Sequence, residues 1–261
     1  MSWVLDPVDR EPVGTALLVP GFTGSKEDFI SVLPLLASDG WRVVTYDQRG
    51  QYESAGTPEP YTLAAFAEDA VALVEGVATG PLHLLGHSFG GLVAQQAVLD
   101  APDFATTLTL LCSGPGAMPA EDAPPLLLVA DALGALPIEA VWQGKLEWEL
   151  AHGWVAPTDP EIMAFLHRRF VANDPASVAA IARLLVDAPD RIDELAKVAP
   201  PTLVAYGARD DAWPLTDQDA MAARLGARLE VLAAAAHSPA VEDPTATAAL
   251  LTAFWSERVP A

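Results

Sequence analysis

The sequence holds a single cysteine, Cys112, among its 261 residues. No internal disulfide can form, and that usage fits a reducing compartment, so a cytoplasmic location is expected. Basic residues are also scarce, with 14 Lys and Arg against 35 Asp and Glu and a formal net charge of −21. Such an excess repels phosphate backbones and anionic headgroups, which excludes nucleic acid and anionic membrane surfaces as expected partners. The acids are dispersed rather than clustered, as on a solvated surface. No apolar run approaches the roughly 18 residues of a membrane span. The opening Met1–Arg10 segment has no basic stretch ahead of an apolar one, so no signal peptide is read there. Neither a tight metal-ligand spacing nor a strand followed by G-x-G-x-x-G occurs, so no metal and no cofactor are expected.

What is present is a chain with 51% hydrophobic residues, ample for a large core. Short apolar runs at Ala16–Pro20, Trp41–Tyr46, Pro81–Leu85, Thr107–Cys112, Thr202–Tyr206 and Leu229–Leu232 read as strands. Between them lie helical patterns: one capped by Ser25 with the stripe Phe29, Val32, Leu33 and Leu36, then Thr62–Val77, Gly91–Leu99, Leu215–Leu225 and Pro244–Arg258. Strands alternating with helices predict a mostly parallel α/β sheet covered on both faces. The rhythm breaks between residues 117 and 198, which begin with Pro119, Pro124 and Pro125 and then show only helical spacing. That stretch is expected to be a helical cap inserted into a core made of residues 1–116 and 199–261.

The chemistry concentrates around Gly86-His87-Ser88-Phe89-Gly90. A strand, a glycine-flanked serine and a helix form the context of a nucleophile elbow, with glycines where a Cβ would collide. Serine acyl transfer also needs a base and a group that orients it. His237 follows the last strand. Asp210 follows the strand ending at Tyr206, with Asp211 as its immediate neighbour. Both lie at carboxyl ends of strands, where open α/β sheets bind ligands.

These segments resemble the α/β-hydrolase fold family, in its serine hydrolase branch, over nearly the whole chain. The resemblance implies the order Ser88, Asp210, His237, and its spacing after the strand-ending glycine favours Asp210 over Asp211. It implies an oxyanion hole from the backbone N–H groups of Phe22 and Phe89. The family commonly has His-Gly before that loop position; here it is Pro20-Gly21, a departure that bears on how the loop is supported. The early antiparallel strands are expected to be reduced and the Asp47–Gly50 loop structural. A serine at the elbow, rather than a carboxylate, points away from epoxide and haloalkane chemistry. It points toward an ester, lactone or thioester, cleaved through an acyl-enzyme. Carbon–carbon bond hydrolysis, cofactor-free perhydrolase or haloperoxidase chemistry, and a non-catalytic ligand-binding homologue are the alternatives. Aromatics of the cap (Trp142, Trp148, Trp154, Phe165), with Trp213, are candidate pocket residues for a small apolar ester-type substrate. His83 reads as buried, His87 as a structural neighbour of the serine, His152 and His167 as cap residues, and Cys112 as a small core hydrophobe. Oligomeric state is left open.

Overall fold

The computed structural model describes residues 1–258. Its seven strands are β1 (Ser2–Leu5), β2 (Gly14–Val19), β3 (Trp41–Tyr46), β4 (Leu82–His87), β5 (Thr107–Leu111), β6 (Thr202–Gly207) and β7 (Arg228–Leu232), paired in the order β1-β3-β2-β4-β5-β6-β7. Only β1 runs antiparallel, against β3; the other pairings are parallel. Helices α1 (Leu33–Ser38), α2 (Leu63–Glu75) and α3 (Phe89–Asp100) fall between the early strands. Helices α4 (Ala123–Leu133), α5 (Ile138–Ala151), α6 (Pro160–Val171), α7 (Pro175–Asp187) and α8 (Ile192–Leu195) all fall between β5 and β6 and form the inserted helical cap and its return. Helices α9 (Leu215–Leu225), α10 (Pro239–Glu242) and α11 (Pro244–Ser256) complete the chain.

The two-residue period of the strands sorts the core into two layers. Leu17, Val19, Leu84, Leu110 and Val204 face α2, α3 and α9 through Phe66, Val93 and Met221. Ala16, Leu18, Leu85, Leu111 and Ala205 face α1 and α11 through Leu36, Leu251 and Trp255. Every residue of β2, β4, β5 and β6 is buried, as a sheet covered on both sides requires. The cap has a small core of its own in Leu133, Trp142, Phe170 and Val178.

The helix expected from Ser25 onward is broken. Lys26–Phe29 is a 3-10 turn, closed where the Ser25 N–H donates to the Asp28 carboxylate at 3.1 Å, and α1 starts afresh at Leu33. Pro34 accounts for the break, because it has no N–H and fits only the first turn of a helix. β1 is a short antiparallel edge strand of four residues.

Strand order also fixes where a site can form. From β2 the chain crosses to β3 on one side, and β4 then pairs with β2 on the other. The loops leaving the carboxyl ends of β2 and β4 therefore diverge and leave a crevice. Val19 and Gly86 are paired across that end, so the loop carrying Phe22 and the turn carrying Ser88 emerge side by side.

Candidate active site

Ser88 sits between β4 and α3 with φ 55° and ψ −122°, a left-handed backbone that side chains other than glycine rarely adopt. The neighbouring glycines permit the turn. A Cβ on Gly86 would lie 2.2 Å from the Gly90 carbonyl oxygen, and one on Gly90 would lie 2.3 Å from that of Val19. The strain aims the Ser88 hydroxyl out of the turn at the start of α3, near the positive end of its dipole.

The Ser88 hydroxyl donates to His237 Nε2 at 3.0 Å, and His237 Nδ1–H donates to Asp210 Oδ1 at 2.7 Å. The three residues come from separate loops after β4, β6 and β7. Burial alone would raise the Asp210 carboxyl. The hydrogen bond from His237 opposes it, together with the Gln218 amide on Oδ2 at 2.8 Å and the Ala212 N–H on Oδ1 at 3.1 Å, and the net effect holds Asp210 below the usual carboxylate range. Asp211 is exposed. The arrangement can draw a proton from the serine and carry the resulting positive ring on a fixed anion.

Several groups fasten the segment that carries His237. His87 Nε2–H donates to the His237 carbonyl at 2.6 Å, and because a carbonyl only accepts, the tautomer is set. Burial, reinforced by the neighbouring His237, lowers His87 to about 4, so this ring is neutral. The Cys112 thiol points at the Ala236 carbonyl, Glu242 accepts the Ala236 N–H, and Arg209 donates to the Ala234 carbonyl. Burial pushes the Cys112 thiol far up, which keeps it protonated and in the core. His87, Cys112 and His237 bring three ligand-type atoms within 4.8 Å of one another, but each already has a hydrogen-bond partner.

On the other side of Ser88, Gly21 packs so tightly that an added Cβ would lie 3.0 Å from that of Ser88. Among the described residues, neither the Phe22 nor the Phe89 N–H donates to a backbone carbonyl. Support for the loop comes from two fully buried glutamines after β3: Gln48 donates to the Pro20 carbonyl at 2.9 Å and Gln51 to the Gly21 carbonyl at 3.3 Å. Lys26, buried and bonded to Asp47 and Glu53 at 2.8 Å each, ties the same two loops together. These contacts stand where the sequence departs from His-Gly at Pro20.

A cavity of about 580 Å³ opens over Ser88 and His237, between the sheet and helices α4 and α5. Its wall is apolar (Met118, Leu126, Val129, Val141 and Leu185 among others), with Lys145 and Glu149 paired to each other at 2.5 Å. Of the candidate aromatics, Trp148 and Trp213 line this cavity. Trp142 and Trp154 line a smaller neighbouring pocket of about 210 Å³, and Trp142 is packed against Phe170. Phe165 lies edge-on to Tyr52 and faces a third, outer hollow. His152 stacks on Trp148 at the surface and His167 pairs with Glu139.

A family model described as Alpha/beta hydrolase family matches residues 16–250. The chain belongs to the α/β-hydrolase family. It is 34% identical over 212 residues to a Variovorax paradoxus protein named "Putative carbamate hydrolase RutD", covering 79% of this chain and 76% of that one. A solved hydrolase from Pseudomonas aeruginosa superposes with a TM-score of 0.80 at 26% identity, over 97% of this chain and 93% of that one. A thermophilic esterase from Thermogutta terrifontis gives 0.80 at 24% identity, over 99% and 94%, and so shares the fold. This α/β-hydrolase is accordingly an enzyme of the hydrolase class. No helix among its described residues is long and apolar enough to cross a membrane.

Gln218, the glutamine pair behind the Phe22 loop and the leucines of α4 that wall the cavity were not among the site residues expected from the sequence. A helical wheel of α5 separates Trp142 from Trp148 by about 120°, at 3.6 residues per turn, and that signal was available.

Proposed function

We propose that this α/β-hydrolase is a serine hydrolase that cleaves carboxylic esters of an apolar substrate through an acyl-enzyme. The observation that carries the reading is the chain of hydrogen bonds from Ser88 through His237 to Asp210 at the floor of an apolar cavity. Ser88 Oγ attacks the ester carbonyl while His237 Nε2 takes its proton. Asp210 stabilises the imidazolium and holds its Nδ1–H in place. The Phe22 and Phe89 N–H groups receive the developing oxyanion in a setting that needs no reorganisation. His237 then gives the proton to the departing alcohol, the ester C–O bond breaks, and the acyl group stays on Ser88. Water enters with His237 again as base, releasing the carboxylic acid and restoring the serine hydroxyl.

The relative's name points to carbamate, a small polar substrate. Here the wall favours a larger apolar group: among the described residues, the Lys and Glu side chains lining the cavity are Lys145 and Glu149, and these neutralise each other. A cavity of this size and apolarity is typical of sites for drug-sized organic ligands. The test is reaction with a fluorophosphonate probe, followed by intact mass and by turnover of p-nitrophenyl butyrate. One adduct per chain, lost in Ser88→Ala together with turnover, is expected. Equal labelling or turnover by folded Ser88→Ala overturns the reading.

A further inference from the structure

Gly144 lies in the middle of α5, where glycine is destabilising relative to alanine. The other glycines in or at the ends of the described helices have a local reason. Gly90 and Gly91 in α3 sit within 2.3 Å of Val19 and Ser113 atoms once a Cβ is added, and Gly76, Gly134 and Gly226 terminate α2, α4 and α9. Gly144 has none of these. Its φ is negative, so no left-handed turn requires it, and an added Cβ would meet nothing within 4 Å. Gly144 is exposed, and it lines the solvent side of the cavity over Ser88 together with Val141, Lys145 and Trp148, at helical spacing on one face of α5.

The cavity does not end there. Leu128, Leu136 and Trp148 line it and are also exposed, at 66%, 52% and 42%, so its apolar wall continues outward to solvent between α4 and α5. We infer that Gly144 is a specificity-determining residue: its missing side chain keeps open an apolar corridor from Ser88 to the surface, and this corridor takes the unbranched hydrocarbon tail of a long-chain ester. The inference rests on the ester-hydrolase reading of Ser88. Lys145 and Glu149, satisfied by each other, flank the corridor and offer no free charge to a polar tail. A side chain at position 144 points back toward the preceding turn of α5, over Ala140 and into the corridor.

The test compares wild type with Gly144→Ala and Gly144→Leu. Turnover of p-nitrophenyl acetate and octanoate is measured, and n-octanol binding is followed by calorimetry, since octanol fills the corridor without reacting. One methylene in an apolar pocket is worth about 10–200-fold in discrimination. The octanoate-to-acetate ratio of kcat/KM is therefore expected to fall at least about tenfold in Gly144→Leu and by a smaller factor in Gly144→Ala. Octanol binding weakens in the same order. Thermal unfolding of Gly144→Ala at or above the wild-type temperature shows that the helix tolerates the change and keeps the test valid should the leucine variant fold poorly. An unchanged ratio in Gly144→Ala, with octanol binding also unchanged, overturns the inference. An equal loss on both esters in folded Gly144→Leu overturns it as well. If no ester turns over and no fluorophosphonate reacts in wild type, the hydrolytic reading falls; octanol binding weakened by Gly144→Leu then still supports the corridor, and binding left intact removes it.

Discussion

Asp210→Asn separates the two services a buried carboxylate can render to a histidine. Oδ1 faces two donors, the His237 Nδ1–H and the Ala212 N–H, whereas Oδ2 faces only the Gln218 amide. In the variant the amide oxygen takes the Oδ1 place, and the new NH2 group faces Gln218. Gln218 can turn its amide over, because its Oε1 is buried with no partner among the described residues. The histidine tautomer is then kept and only the negative charge is lost. A charge about 4 Å from an imidazolium, at an effective dielectric constant near 20, is worth roughly 4 kcal/mol, or about 10³ in rate. We therefore expect kcat on p-nitrophenyl butyrate to fall by about 10³. Adding Gln218→Met removes the acceptor for the NH2 group and should cost at least about another fivefold, since an orphaned buried donor is worth about 1–3 kcal/mol. Asp211→Asn, at an exposed side chain, should stay within about twofold. Steady-state kinetics with thermal unfolding as a check on folding decides it. More than a tenth of wild-type kcat in Asp210→Asn, or an equal loss in Asp211→Asn, refutes the reasoning.

Trp142→Ala should lower stability by about 3–5 kcal/mol in urea titration, because the ring is 6% exposed in the core of the cap. Trp148→Ala should instead leave the unfolding midpoint nearly unchanged and alter the acyl-length profile. Gly90→Ala places a Cβ 2.3 Å from the Val19 carbonyl oxygen and 2.7 Å from that of Pro20, so the elbow must shift; an ester kcat reduced by at least about 10² is expected from a displacement of that kind. Stability should also fall with acidification. Burial lowers His83 to about 4, so between roughly pH 6.5, where an unfolded histidine titrates, and pH 4 the unfolded chain holds the extra proton. The stability from the neutral ring is complete above that window and is lost as the pH drops through it, by about 3 kcal/mol at most. His83→Gln should flatten that part of the urea midpoint against pH; an unaltered slope contradicts it.

The strands were legible because a sheet buried on both faces forces short continuous apolar runs, and Leu82–His87 and Thr202–Gly207 have no other reading between turn residues. The elbow was legible because glycines at 86 and 90 answer to steric necessity, and the atoms they would strike are backbone. Asp210 and His237 could be placed at strand ends, but their convergence depends on three loops whose geometry no local pattern encodes. Less could be read in the cap. An aromatic in a helix announces burial without saying against what, and Trp142 and Trp148 fall on different faces of the same helix, one in the cap core and one on the cavity. The supporting glutamines left no trace at all. Gln48, Gln51 and Gln218 are ordinary polar residues in sequence, and only the fold shows each aimed at a carbonyl or a carboxylate. Pro34 was a visible signal for the broken first helix, outweighed by the apolar stripe around it.

In the proposed mechanism Ser88 carries the acyl group. Mixing the enzyme with p-nitrophenyl butyrate, quenching in acid within the first turnovers and mapping peptides by mass spectrometry tests it directly. A butyryl adduct is expected on the peptide containing Ser88, located at that residue, transient in wild type and missing in Ser88→Ala. Rapid p-nitrophenol release from wild type with Ser88 unmodified, or with the butyryl group on another side chain, would contradict it.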